Sequence, residues 1–239
     1  MEPSYHQDGV ETQKIVALLA ESSLMQSLNE IQLEHVARSF RIRTYLAEQT
    51  VITQDEESAD VYCLARGSVR ATLFSPSGRE ISYQELSVGD FFGELSAIDG
   101  APRSTHVITN EASRFLVLSK SKFLELLQQY PQMGTAVLQK MAGLVRFLCD
   151  RVYEYSALDV NCRVRSELIR IAQTKGVPVD GGILIDPMPT HQELASRIAT
   201  HREAVTRELN RMAKSEGIIV RKGKGVLVPD LNVLKALVP

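Results

Sequence analysis

The sequence predicts an α+β chain: a β-rich barrel or jelly roll, then a long helix, then a largely helical C-terminal domain. Three observations carry this reading. Residues 41–118 break into short runs rich in β-branched and aromatic residues, separated by turn residues, which is the texture of a double-sheet or closed β fold. Across residues 131–158 apolar side chains recur at spacings of three and four, the helical period. The last eighty residues hold further helical patterns punctuated by Gly and Pro. A length of 239 residues suits two ordinary domains, each burying its own core. At 44% hydrophobic and 23% charged the chain has the balance of a globular protein, which excludes disorder and collagen-like structure for most of it.

Taken in order, the first dozen residues carry no hydrophobic period and are expected to be loose. Residues 24–40 place Leu28, Ile31, Leu33 and Val36 near helical spacing and predict a short amphipathic helix. The runs TVIT, VYCLARGSVRATLF, EISYQEL, HVIT and RFLVL predict strands. Ser75, Pro76, Ser77 and Gly78 supply the turn that pairs ATLF with EISY. Beyond Pro131, the residues Val137, Met141, Leu144, Leu148, Tyr155 and Leu158 form a seam near the 3.5-residue repeat, interrupted at Arg151. That spacing predicts a helix pairing with its copy in a homodimer; the alternative is a helix packed on its own barrel. NCRVRSELIRIAQTKG predicts another helix, ended by Gly176. After a Gly- and Pro-rich stretch come two capping boxes, Thr190 with Glu193 and Thr200 with Glu203, barely a turn apart. Two helices so joined are the sequence form of a helix-turn-helix, whose second helix enters a DNA major groove. Two short apolar strands joined by Lys222, Gly223, Lys224 and Gly225 then make it winged.

Charge divides along the same line. Residues 1–158 hold 14 Lys and Arg against 20 Asp and Glu, whereas residues 159–239 hold 13 against 9. A polyanion-binding second half is the expectation. The longest apolar run is the six residues 15–20, far short of the roughly 20 that a transmembrane helix requires. The N-terminus lacks the basic-then-apolar pattern of a signal peptide, so a cytoplasmic protein is expected. Three dispersed cysteines and five dispersed histidines offer no metal-ligand spacing, so no metal and no bound cofactor is expected. No P-loop, GxGxxG or ordered Ser/His/Asp set is present, and an enzyme is not expected.

One segment carries ligand chemistry: FFGELSAIDGAPRSTHV, residues 91–107. Gly93 allows close backbone approach, and a helical turn starting near Glu94 aims amides at an anion. Arg103 can hold two phosphate oxygens in a bidentate fork, and Ser104 can donate one more bond. Glu94 is an acceptor suited to the ribose 2′-hydroxyl left free in a 3′,5′-cyclic nucleotide. On the second helix expected in the turn motif stand Arg202, Glu203 and Arg207, with Arg suited to guanine O6/N7 and Glu to cytosine N4.

FGEL followed by PRS, inside a β-rich domain and ahead of a long helix, closely resembles the phosphate-binding cassette of cyclic-nucleotide-binding domains. THREAVTREL resembles the recognition helix of the CRP/FNR family of bacterial transcription regulators, and of its members the cAMP-receptor type most. The resemblance spans roughly residues 24–229. It implies a cyclic-nucleotide-binding β jelly roll over residues 1–130, a dimerisation helix and hinge over 131–158, and a winged helix-turn-helix DNA-binding domain over 159–239. It implies that Glu94 binds the ribose, Arg103 and Ser104 the cyclic phosphate, and the amides near Gly93 and Leu95 complete the cradle. The family's adenine-reading Thr-Ser pair falls on Leu148 and Cys149, a departure that shifts base recognition toward neighbours such as Asp150. The allosteric ligand is therefore expected to be cAMP, with cGMP accepted or preferred.

The family further implies a homodimer on a palindromic TGTGA-like operator, its half-sites one turn or roughly 34 Å apart, with RNA polymerase as a further partner. In that picture ligand re-sets the hinge near Leu158, Asp159 and Val160. Arg202, Glu203 and Arg207 are expected to read bases, and Thr190, His201, Thr206, Lys222 and Lys224 to touch the backbone of double-stranded DNA. Two alternatives stay open: a cyclic-nucleotide-binding regulatory protein acting on a protein partner, and a family member responding to another ligand.

Overall fold

The computed structural model describes residues 9–78, 80–214 and 217–239. The chain forms two compact units, one comprising residues up to Leu73 together with Gln84–Val145, the other comprising Phe74–Tyr83 and Arg146–Pro239.

In chain order the elements of the first part are α1 (Gly9–Ala20), α2 (Glu30–Ala37), β1 (Arg41–Tyr45), β2 (Thr50–Ile52), β3 (Val61–Arg66), β4 (Val69–Phe74), β5 (Glu80–Leu86), β6 (Phe91–Phe92), α3 (Glu94–Asp99), β7 (His106–Thr109), β8 (Ser113–Leu118) and α4 (Lys120–Gln129). Two four-stranded sheets result, ordered β1-β8-β3-β6 and β2-β7-β4-β5. Strands β3 and β8 are buried on both faces, which is why their sequences read as unbroken apolar runs instead of alternating. Tyr62, Leu64, Phe115 and Val117 point into the inter-sheet core with Val51, Val69 and Val107. Their neighbours Val61, Cys63, Leu116 and Leu118 belong to a second core built with α1, α2 and α4. There burial pushes the Cys63 thiol up to about 12, so this cysteine is an inert packing residue.

Three sequence expectations change here. Residues 9–12, expected to be loose, begin α1; the remainder of that expectation, residues 1–8, lies outside the described residues. The helix expected over 24–40 is confined to α2, because Asn29 caps it, accepting from the Gln32 amide while Gln32 answers with its side chain. The seven residues before Asn29 form turns, with the Ser22 carbonyl accepting from the amides of Met25 and Gln26. Helix α4, capped by Ser119, went unread because it abuts the longer helix.

Helix α5 (Pro131–Ala157) runs 27 residues, with proline at its first position, where a missing N–H costs nothing. Its seam differs in register from the one the spacing suggests. Val137 is buried and Met141 partly so, both packed on the first unit's own helical core. Of its exposed large apolar side chains, Leu138 (70%), Val145 (60%) and Val152 (65%) stand at seven-residue spacing, with Leu148 (43%) between the last two and Tyr153 beside them.

The second unit contains α6 (Val160–Lys175), β9 (Val177–Val179), β10 (Gly182–Ile185), α7 (His191–Arg197), α8 (Arg202–Lys214), β11 (Val220–Lys222), β12 (Gly225–Val228) and α9 (Leu231–Ala236). Its sheet is ordered β11-β12-β10-β9, and the Gly- and Pro-rich stretch forms the hairpin β9–β10. Gly176 ends α6 without a left-handed turn; a Cβ there would stand 2.3 Å from the Ala172 carbonyl and 2.4 Å from Ile183, so close approach is what demands glycine. Asp159 caps α6 by accepting from the Cys162 amide, and that bond holds its carboxyl below the usual range. Arg151, the break in the apolar seam, is only 4% exposed. It donates to Glu154 at 3.0 Å and to Glu167 at 3.0 Å, and Arg170 and Arg197 pair with the same two carboxylates. Burial alone lowers the Arg151 pKa, but Glu167, Tyr155 and Glu154 outweigh it and the net shift is upward.

Candidate ligand cassette and nucleic-acid interface

The cassette is the short passage from β6 through α3 to β7. Gly93 stands at φ 83° as the residue before α3. A Cβ there would lie 2.7 Å from the Arg103 Nη1 and 2.8 Å from the Asp60 carbonyl, so both conformation and space require glycine. Arg103 is 2% exposed. Its Nη1 donates to the Gly93 carbonyl at 2.7 Å, Nη2 to the Asp60 carbonyl at 2.8 Å and Nε to the Ser58 hydroxyl at 2.9 Å. The guanidinium thus closes the cassette onto the loop before β3, and each terminal nitrogen keeps a second N–H for an anion. Burial lowers its pKa, opposed by Tyr62, Glu56, Asp60 and Glu94. Glu94, 6% exposed, pairs through Oε1 with the Lys140 ammonium of α5 at 2.8 Å, and Lys140 also donates to the Phe91 carbonyl. Its second carboxylate oxygen remains an acceptor.

Gly93, Glu94, Leu95 and Arg103 are therefore brought together, with Leu95 half-buried and Ser104 exposed. Leu148, Cys149 and Asp150 belong to the other unit, where all three are exposed. Lys140, Ser58 and Asp60 were missed by sequence reasoning; they lie 46, 45 and 43 residues from their partners, and no local pattern marks them.

In the second unit Thr190 caps α7, accepting from the Glu193 amide at 3.2 Å while the Glu193 carboxylate accepts from the Thr190 amide at 2.6 Å. Helix α8 begins at Arg202, and its apolar face, Val205, Leu209 and Met212, is buried in the unit's core. Glu208, 1% exposed, anchors the rear of the helix through Arg165 at 2.8 Å, and Arg165 also reaches the Leu237 carbonyl. The opposite face is a shallow groove lined by Arg202, Glu203, Thr206, Arg207 and Asn210. Arg202, Glu203 and Arg207 are exposed, as are His201, Lys222 and Lys224. Thr206 is engaged within the protein: its hydroxyl donates to the Arg202 carbonyl at 2.9 Å and meets His191 Nδ1 at 2.7 Å. Asn210, His191 and Arg221 are additions that the sequence did not single out; Arg221 donates to Asn210 at 2.6 Å.

This is the construction of a ligand-cassette domain followed by a winged helix-turn-helix, and comparison with known families agrees in both parts. Residues 42–130 match the family model for a cyclic nucleotide-binding domain, and residues 162–237 match that for a Crp-like helix-turn-helix domain. The chain is 29% identical over 189 residues to the cAMP-activated global transcriptional regulator CRP of Salmonella typhimurium, covering 78% of this chain and 89% of the relative. It is 24% identical over 213 residues to the CRP-like cAMP-activated global transcriptional regulator of Mycobacterium tuberculosis, covering 89% and 95%. A solved CooA mutant from Carboxydothermus hydrogenoformans shares the fold at a TM-score of 0.75 and 21% identity, over 88% of this chain and 90% of that one. The chain belongs to the CRP/FNR family. Its relatives are transcription regulators, not enzymes. No helix among the described residues is long and apolar enough to cross a membrane.

Proposed function

We propose that this protein is a cyclic-nucleotide-responsive, sequence-specific DNA-binding regulator that acts as a homodimer on a palindromic TGTGA-like operator. The observation that carries the reading is the front of α8. Its buried face fixes the helix, while Arg202, Glu203 and Arg207 stand exposed along one groove with their side chains directed to no hydrogen-bond or ion-pair partner among the described residues. Side chains that hold no internal partner are available to base edges, and Arg and Glu match guanine and cytosine. Thr190, His201, Thr206, Lys222 and Lys224 are assigned to the DNA backbone, Thr206 through its position in the groove, since its hydroxyl proton is already used.

In the cassette, Glu94 offers one carboxylate oxygen to the ribose 2′-hydroxyl, Arg103 and Ser104 meet the cyclic phosphate, and the amides about Gly93 and Leu95 complete the cradle. Arg103 is buried and held by carbonyls through one N–H of each terminal nitrogen, so its remaining N–H groups meet the phosphate from a fixed guanidinium. Leu148, Cys149 and Asp150 are assigned to the base, where Asp150 can accept from guanine N1 and N2; cAMP and cGMP are both candidate ligands. The exposed stripe Leu138, Val145, Leu148 and Val152 supports pairing of α5 with its copy. The organisation proposed is a nucleotide-binding domain over 1–130, a dimerisation helix over 131–158 and a DNA-binding domain over 159–239, in a cytoplasmic protein that works with RNA polymerase.

The test is fluorescence anisotropy of a labelled palindromic TGTGA duplex at one fixed salt concentration, with protein alone, with cAMP and with cGMP. Tightening by either nucleotide, lost in Arg202→Ala, is the expected result. Binding unaffected by Arg202→Ala overturns the recognition-helix assignment. Binding indifferent to both nucleotides overturns the ligand assignment.

A further inference from the structure

Along the groove of α8, two neighbouring elements are held to side chains one helical turn apart: His191 at the start of α7 meets the Thr206 hydroxyl at 2.7 Å, and Arg221 on β11 donates to Asn210 Oδ1 at 2.6 Å. The Thr206 hydroxyl lies 2.9 Å from the Arg202 carbonyl and 2.7 Å from His191 Nδ1. With its single proton assigned to the carbonyl, the hydroxyl accepts from the ring, which puts the hydrogen of the neutral imidazole on Nδ1. Nε2 of the neutral ring is then a bare acceptor, of no use to an anion. Once the ring takes up a proton, Nε2 becomes a cationic donor while the bond to Thr206 is untouched.

The charged groups acting on the ring are Arg221 from β11 and Arg202 from α8; on its own helix, Glu193 is occupied with the Thr190 amide. Burial first, and then these two arginines, lower the imidazole pKa. In the free protein burial and the two arginines thus favour the neutral ring over the imidazolium. An anion placed between His191 and Arg221 reverses the balance, since it screens the arginine and favours the imidazolium.

We propose that His191 and Arg221 form a phosphate clamp flanking the recognition helix, closed by proton uptake when DNA binds. Arg221, braced by Asn210, supplies the permanent charge, and His191 supplies a second one only with phosphate in place. The inference rests on the DNA-binding reading above and goes further by linking binding to pH at a named atom, Nε2 of His191.

The experiment measures anisotropy of the labelled TGTGA duplex and of a scrambled duplex, at constant salt, from pH 8 to pH 5.5, for wild type, His191→Asn and Arg221→Ala. Asparagine keeps a side-chain N–H for Thr206 and cannot titrate. The expected result is wild-type affinity for both duplexes rising as pH falls, by up to about tenfold per pH unit for each proton taken up. In His191→Asn this rise shrinks by one proton per bound protomer. In Arg221→Ala the salt slope falls by about one unit, uniformly across sequences. A pH profile identical in wild type and His191→Asn overturns the clamp, as does an unchanged salt slope in Arg221→Ala, with the DNA-binding reading left standing. Absence of wild-type binding to either duplex at any pH overturns both.

Discussion

Gly93 and Arg103 show how much single side chains decide in the cassette. A methyl at Gly93 meets the guanidinium and the Asp60 carbonyl while its backbone stays in the left-handed region, so Gly93→Ala should lower stability by about 1–3 kcal/mol in urea unfolding. Glu94→Gln keeps the shape of the site but removes the charge that pairs with Lys140 and that the proposed function offers to a ribose hydroxyl. Calorimetry with cAMP and with its 2′-deoxy analogue should then show wild type discriminating between them and Glu94→Gln discriminating at least several-fold less. At this scale the sequence was informative wherever the partners sit close along the chain: Gly93, Glu94 and Arg103 lie within ten residues and their chemistry is local. Lys140 was illegible because its role depends on where a distant helix comes to rest, and an isolated lysine on a helix is ordinarily a solvated one.

Among the elements, the joint of the helix-turn-helix contains a removable defect. Ala199 stands at φ 52° where α7 ends, a conformation that helices usually give to glycine. Ala199→Gly should raise thermal stability, by up to about 1 kcal/mol, with the groove of α8 unaltered. The cap of α6 gives a pH-dependent counterpart. The Asp159 carboxyl is lowered by the Cys162 amide, so its contribution is complete above the ordinary carboxylate value of 3.8 and fades as pH drops through the lower folded value. Asp159→Ala should cost about 1 kcal/mol at pH 7 and nearly nothing in strong acid, read from denaturation midpoints. Breaking the buried network by Glu167→Ala leaves Arg151 with less compensation and should cost about 3–5 kcal/mol. The Thr190 cap made α7 legible in the sequence, helical period made α8 so, and the Lys-Gly turn between apolar runs the wing. Of the seam expected on α5, Val137 and Met141 pack on the protein's own core while Leu148 is exposed, because the helix carries two adjacent apolar stripes and periodicity alone does not say which one the protein covers itself.

For the whole molecule the open question of assembly falls on that second stripe. Val145→Glu places a charge in the middle of Leu138, Val145 and Val152, on a face exposed in the single chain. Sedimentation equilibrium should find a homodimer in wild type and a monomer in the variant, with each unit's secondary structure kept by circular dichroism. A wild-type monomer would rule out the paired arrangement. The division of charge, 14 basic against 20 acidic residues before position 159 and 13 against 9 after it, also acts at this scale. It directs an incoming polyanion to the C-terminal half and gives the encounter its dependence on ionic strength.

The two faces of α8 also bear on how such a protein can change over generations. Val205, Glu208, Leu209 and Met212, which hold the helix, share no position with Arg202, Glu203, Arg207 and Asn210, which line its groove. The side chains that bury the helix and those exposed on its groove are thus separate letters of one short segment, with Thr206, bonded to the Arg202 carbonyl and His191, the groove residue that also serves the fold. Substitutions along the groove should leave the melting temperature nearly where it was and combine almost additively in stability. A lineage carrying this helix can drift from one operator to another without passing through an unfolded ancestor.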